Sequence, residues 1–87
     1  MDESLLDKIV VVDSSTKLSF IGKLVKLCNA TVRLEQVAIF DSIDSRISFD
    51  QYLIECAEIG YSVTRRAIWI DRKQIISMSL LSDVIIP

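Results

Sequence analysis

The sequence contains no histidine, and it has only two cysteines, Cys28 and Cys56. Histidine is the usual general base of enzymes and the usual partner of a nucleophilic serine or cysteine, so its absence removes the common catalytic pairs. The chain also lacks a Gly-rich phosphate-binding loop and the cysteine and histidine spacings of zinc sites. We therefore expect no enzymatic activity and no cofactor. The two cysteines lie far apart in sequence, and we expect them to be free thiols packed within the fold.

Long apolar runs and an excess of positive charge are also absent. The first eight residues, MDESLLDK, are acidic where a signal peptide is basic, and no apolar run approaches the ~18 residues that span a bilayer. We therefore expect a cytoplasmic protein with no membrane partner. Ten basic residues stand against twelve acidic ones, a formal net charge of −2. Proteins that bind duplex DNA are usually strongly basic, so duplex DNA is not an expected partner.

Three aspartates lie close together in the sequence, at Asp41, Asp44 and Asp50. Their carboxylates could provide oxygen ligands for a hard cation. The same spacing is typical of a solvated loop followed by the first turn of a helix, where negative charge is favourable. We expect the loop and helix, and no metal site.

The apolar content is high for so short a chain. Eighty-seven residues make one domain, residues 1–87, with no room for a second core. Apolar residues are 51% of the sequence, and the mean hydropathy is +0.41. A chain of this size leaves much of its surface exposed, so this composition is difficult to cover in a monomer. We expect the protein to associate with itself.

Two runs of alternating apolar residues occupy residues 17–40. In the first run, an apolar residue or a glycine recurs at every second position: Leu18, Phe20, Gly22 and Leu24. The second run has the same spacing on either side of a one-residue slip at Gln36: Val32, Leu34, Val37 and Ile39. This spacing predicts two long strands joined by a turn at 28–30, and the slip predicts a β-bulge. Gly22 within a strand indicates a sharp bend or a close approach of another backbone.

The flanking segments complete a mainly β fold. Residues 2–7 could form one short helical turn, and the β-branched run at 8–12 predicts a strand covered on both faces. Residues 63–70 and 74–81 predict two further strands that are apolar on both faces, joined by the polar turn 71–73. Five short strands in this order are too few for a sandwich and predict a small barrel formed by one bent sheet.

A helical insert is predicted between the third and fourth strands, at about 48–60. Ser48 can cap the helix, with Gln51 three residues later, and Gly60 stands where a helix ends. Apolar residues between them recur at helical spacing: Phe49, Tyr52, Leu53, Cys56 and Ile59. Residues 52–54 could also begin a strand, but a helix of about three turns fits the spacing better.

Two segments resemble the motifs of the Sm-like (Lsm/Hfq) family. The first is Phe20-Ile21-Gly22-Lys23-Leu24, which matches the apolar-x-Gly-x-Leu strand and leads into a second apolar strand. The second is the apolar strand 67–70, the turn 71–73 and the apolar strand 74–78. Together they cover about half of the chain. The resemblance implies a short N-terminal helix followed by a bent five-stranded sheet, an Sm-like or SH3-like barrel.

The resemblance also implies a ring that binds single-stranded RNA through its pore. In the family, the fourth strand of one subunit pairs with the fifth of the next, and two turns line the pore. The corresponding residues here are Cys28, Asn29, Ala30, Asp71, Arg72 and Lys73. Cys28 stands where the family usually has an aspartate, and Ala30 where it often has a base-stacking aromatic. Asn29 could contact a base edge, and Arg72 or Lys73 could contact phosphates.

The alternative function is an oligomeric scaffold or protein-interaction module that does not bind RNA. The pair Arg65-Arg66, the insert at 48–60 and the pair Ile85-Ile86 could each contact a protein partner. Trp69 is expected in the core or in an interface, because large aromatic residues usually contribute packing area. Binding of oligonucleotides distinguishes the two functions.

Overall fold

The structure is a computed structural model and describes residues 3–87, so Met1 and Asp2 lie outside the described residues. It contains five strands and one α-helix: β1 (Ile9–Ser14), β2 (Leu18–Leu27), β3 (Thr31–Asp41), α1 (Phe49–Ile59), β4 (Arg65–Asp71) and β5 (Ile75–Leu80). The strands form one antiparallel sheet in the order β4-β3-β2-β1-β5. This confirms the predicted mainly β fold with a bent five-stranded sheet.

Alternating residues of β1 enter two separate apolar layers. Val10 and Val12 are fully buried on the concave side of the bent sheet, which we call the inner face. Val11 is buried on the opposite, outer face. The inner layer is the larger and contains Val10, Val12, Leu24, Val32, Leu34, Val37 and Ile70. The β-branched run is therefore covered on both faces, as its composition predicts.

The pairing of β2 with β3 is irregular near the middle of β3. Gln36 has a φ of 53°, and the pairing register shifts between Ile21, opposite Ala38, and Lys23, opposite Glu35. Three residue steps of β3 thus oppose two of β2, which is a β-bulge. The bulge predicted from the slip at Gln36 is confirmed.

Gly22 lies opposite this bulge, where the two backbones come unusually close. A Cβ atom at position 22 would be 3.1 Å from the carbonyl oxygen of Glu35 and 3.2 Å from Cγ2 of Val37. Only a residue without a side chain allows this approach without displacement of β3. Of the two expectations for Gly22, close backbone approach is therefore the one observed.

The helical insert is present and covers the outer face. The Ser48 hydroxyl accepts a hydrogen bond from the Gln51 N–H at 3.1 Å, and Gly60, with a φ of 90°, donates its N–H to the Cys56 carbonyl. Cys56 of the helix packs against Val11 and Ile21 of the sheet. The ring of Tyr52, also in the helix, lies 4.8 Å from the ring of Phe40 in β3. Helix α1 thus forms a second apolar layer on the side opposite the inner core.

The predicted N-terminal turn, residues 2–7, begins outside the described residues, and within them its helical part ends at Leu5. A 3-10 turn spans Glu3–Leu5, and the side chains of Leu5 and Leu6 pack against the inner layer. Two further 3-10 turns, Arg72–Gln74 and Leu81–Asp83, precede and follow β5. None of the helices within residues 3–87 is long and apolar enough to cross a membrane.

Strands β4 and β5 are the two edges of the sheet. Within residues 3–87, β4 pairs only with β3, and β5 pairs only with β1. The prediction that β5 is apolar on both faces was wrong for residues 77–80, where only the inner face is apolar, although Ile76 before them is an exposed apolar residue. Met78 and Leu80 contact the inner core, whereas Ser77 and Ser79 are exposed. The alternation of serine with apolar residues in the last strand is therefore the ordinary signature of a half-covered strand.

We expect Gly22→Val to destabilise the fold, because the added side chain would overlap the Glu35 carbonyl. Overpacking of this kind costs about 1–3 kcal/mol in the free energy of unfolding. Urea unfolding followed by circular dichroism measures the loss. Lys26→Val is the matched control, since it introduces the same side chain at an exposed position of the same strand. Equal stability of the two variants would contradict the close approach at Gly22.

Candidate nucleic-acid interface

Two turns meet at one end of the sheet. Residues 28–30 join β2 to β3, and the turn after β4 begins at Asp71. Thr31 lies opposite Asp71 in the pairing of β3 with β4, and the N–H of Arg72 donates to the carbonyl oxygen of Ala30 at 2.9 Å. The structure therefore brings all six predicted site residues into one group, which we call the turn cluster: Cys28, Asn29, Ala30, Asp71, Arg72 and Lys73.

The first turn of the cluster presents a polar side chain to solvent. Cys28 is half-buried and its N–H donates to the carbonyl of Thr31 at 2.8 Å, which closes the turn between β2 and β3. Asn29 and Ala30 are exposed. An exposed Asn29 amide offers both donors and an acceptor, the groups that can pair with a base edge.

The second turn carries two cations and one carboxylate. Oδ1 of Asp71 accepts a hydrogen bond from the N–H of Lys73 at 2.9 Å, so this carboxylate caps the 3-10 turn. Arg72 is half-buried and Lys73 is exposed. In the described part of the chain neither cation has an ion-pair partner. Both therefore keep their hydrogen-bond donors available to a phosphate.

A tryptophan and two further cations lie beside the turn cluster on the outer face. Trp69 is 50% exposed, and Cζ of Arg33 lies 5.2 Å from the centre of its ring. Lys26 is exposed and lies opposite Arg33 in the pairing of β2 with β3. We call these three residues the outer-face patch. Trp69 was predicted in the core or in an interface. Its side chain is half exposed and so lies outside the core of the single chain, and the interface stays a prediction.

The burial of neighbouring residues explains why this patch lies on the outer face. Val32 and Leu34 on β3, and Ile68 and Ile70 on β4, all pack in or against the inner core. The residue between each pair must then point outward, because successive side chains of a strand alternate between faces. Arg33 and Trp69 are those residues, and they lie directly opposite each other.

The three aspartates do not form a cation site in the described part of the chain. Oδ1 of Asp41 accepts from the N–H of Ile43 at 3.0 Å, and Oδ2 lies 3.2 Å from Nζ of Lys17. The hydrogen bond from Ile43 is the main reason that the pKa of Asp41 lies below its usual value, and Lys17 adds to it. No three acidic or cysteine side chains among residues 3–87 are arranged to hold a metal ion.

Comparisons with known proteins identify the fold. No family model and no curated protein sequence matches the chain. Among solved structures, the chain is similar to the Pyrococcus abyssii Sm protein in complex with a uridine heptamer, with 20% identity and a TM-score of 0.57, over 88% of this chain and 87% of that one. It is also similar to a chain of the NatC complex bound to CoA, with 13% identity and a TM-score of 0.61, over 97% of this chain and 90% of that one. The bent five-stranded sheet of this chain has the Sm-like fold.

Proposed function

We propose that this chain is a non-catalytic, cytoplasmic Sm-like protein that assembles into a ring and binds single-stranded RNA through the turn cluster. The observation that carries the proposal is the hydrogen bond between Ala30 and Arg72, which joins the two turns into one exposed polar surface. The similarity to an Sm protein in complex with a uridine heptamer supports the choice of ligand.

The two open sheet edges support assembly. Exposed edge strands offer unpaired backbone groups, which are normally covered or paired. Ile68 on β4, and Met78 and Leu80 on β5, have their side chains on the inner face next to these edges. An opening of about 340 Å³ beside β4 is lined by apolar residues that include Leu18 and Phe20. A strand from a second copy would pair the edge and cover this opening, and cyclic closure would leave no edge unpaired.

Within such a ring, each copy would contribute one turn cluster. Asn29 would contact a base, while Lys73 and Arg72 would contact phosphates. One cluster alone provides few contacts, and the carboxylate of Asp71 offsets part of its positive charge. Repetition around a ring would raise the overall affinity, since the second contact to a bound strand is intramolecular.

A second function is favoured by the similarity to a chain of the NatC complex, which extends over 97% of this chain. A subunit of a complex with other proteins would use exposed apolar side chains as contacts. Ile59 at the end of α1 is 85% exposed, and Ile85 near the C-terminus is 86% exposed. In this alternative, the open edges would pair with a different protein.

We expect the protein to sediment as an oligomer at micromolar concentration. Ile76→Lys should shift it towards the monomer, because Ile76 is 71% exposed on the edge strand β5 and a charge there opposes strand pairing. Ile59→Lys makes the same exchange at an exposed position of α1 and should leave the assembly unchanged. A monomeric wild-type protein would contradict ring formation and favour the alternative with a different protein partner.

We expect labelled oligo(U) or oligo(A) to bind in a salt-sensitive manner. The double variant Arg72→Ala/Lys73→Ala should weaken binding, and each lost phosphate contact should reduce the slope of log K against log salt by about 0.7. Fluorescence anisotropy at low and moderate salt measures both effects. Arg65→Ala/Arg66→Ala removes the same charge from outside the cluster and should have the smaller effect. Absence of binding at low salt would contradict the proposal.

A further inference from the structure

Trp69 presents a large aromatic surface that the single chain leaves half uncovered. Its neighbours Ile68 and Ile70 lie on the inner face, so its indole lies on the outer face of an edge strand. Helix α1 covers a different part of that face, over Val11 and Ile21. The indole therefore lies on another part of that face, where Arg33 is beside it.

Arg33 lies beside the ring and also contacts a carboxylate. Its Nε lies 3.4 Å from Oε2 of Glu35, two residues along the same strand. The Cζ of the same guanidinium lies 5.2 Å from the centre of the Trp69 ring. A guanidinium next to an indole forms a cation–π pair, and both planar groups can stack with a nucleobase.

Positive charge is concentrated around this aromatic residue. Lys26 lies opposite Arg33, and Lys23 lies opposite Glu35, on adjacent positions of the outer face. Three cations thus accompany two carboxylates here, Glu35 and Asp71, although the whole chain has a net charge of −2. An exposed aromatic ring with surrounding cations is complementary to a ligand that combines flat bases with phosphates.

The patch is continuous with the turn cluster. Trp69 precedes Asp71 by two residues of the same strand, a distance of about 7 Å. Arg33 is likewise two residues from Thr31 on β3, and Thr31 lies opposite Asp71. The turn cluster itself contains no aromatic side chain. A strand held at Asn29 and Lys73 would therefore meet its nearest stacking surface at Trp69.

We propose that the outer-face patch (Lys26, Arg33 and Trp69) is a base-stacking site for single-stranded RNA. A base stacks on the indole or on the guanidinium of Arg33, and Lys26 contacts the adjoining phosphate. The inference rests on the proposed function, because it extends the path of an RNA strand from the turn cluster onto the outer face. It places the aromatic contact on β4 rather than in the turn between β2 and β3.

The protein contains one tryptophan, so its fluorescence reports on this position alone. In the free oligomer, Trp69 should be accessible to acrylamide. Unlabelled oligo(U) and oligo(A) should quench its emission and protect it from acrylamide, with the same dependence on concentration as anisotropy of the labelled oligonucleotides. A tryptophan that is already protected in the free protein would show that a second copy covers it, and would overturn the inference.

Substitution of Trp69 provides the second measurement. Trp69→Leu should weaken oligonucleotide binding by about 5- to 150-fold for each stacked base, and Trp69→Phe should restore part of the loss because it keeps an aromatic face. Sedimentation of both variants verifies that the assembly is unchanged. Lys26→Gln should reduce the salt dependence without changing the quenching at saturation.

The outcomes separate the two proposals. Binding that is lost in Arg72→Ala/Lys73→Ala but unchanged in Trp69→Leu would overturn the stacking site and leave the proposed function intact. Absence of oligonucleotide binding in the wild-type protein would overturn both. Equal losses in Trp69→Leu and Trp69→Phe, with no change of fluorescence on binding, would also overturn the stacking site.

Discussion

The close approach of Gly22 to the bulge at Gln36 is the constraint on which the rest of the structure depends. The bulge reverses which alternate residues of β3 point inward, because Leu34 before it and Val37 after it are both in the inner core. The outer face is consequently divided into two parts. The part before the bulge carries Arg33. The part after the bulge carries Phe40, which packs against α1. A single extra residue thus separates an exposed polar surface from a covered apolar one.

The position of α1 explains why the sheet edges remain open. The helix uses its apolar side against Val11 and Ile21, on the outer face, where it also meets Phe40. It therefore does not cover the opening between the two edge strands, which is lined from the inside by residues such as Phe20. A helix inserted between β3 and β4 could have covered an edge of the sheet. Here it adds a second apolar layer, and within residues 3–87 both edge strands stay unpaired on one side.

Local signals account for what could be predicted from the sequence. The bulge was visible as a slip in the alternation at Gln36, and the helix as a cap at Ser48 and a stop at Gly60, because these features depend on a few adjacent residues. The exposure of Trp69 could not be predicted, since residues 67–70 are apolar throughout and the sequence shows no preferred face. Their orientation is determined by pairing with β3, where Arg33 lies opposite Trp69. The turn cluster also depends on this pairing, and its six residues could be predicted to lie together only from the family resemblance.

Electrostatics would make the proposed RNA binding depend on the proposed assembly. The net charge of −2 means that the chain as a whole does not attract a polyanion, so long-range steering contributes little. The favourable contacts are local: Arg72 and Lys73 in the turn cluster, with Lys26 and Arg33 beside Trp69. At 0.15 M salt the screening length is about 8 Å, so each of these groups acts only on the phosphates nearest to it. Several copies that hold one strand would combine these short-range contacts, whereas a single copy would release it readily. The open edges and the exposed cations would therefore act together, because pairing of the edges would bring the sites of several copies onto one RNA strand.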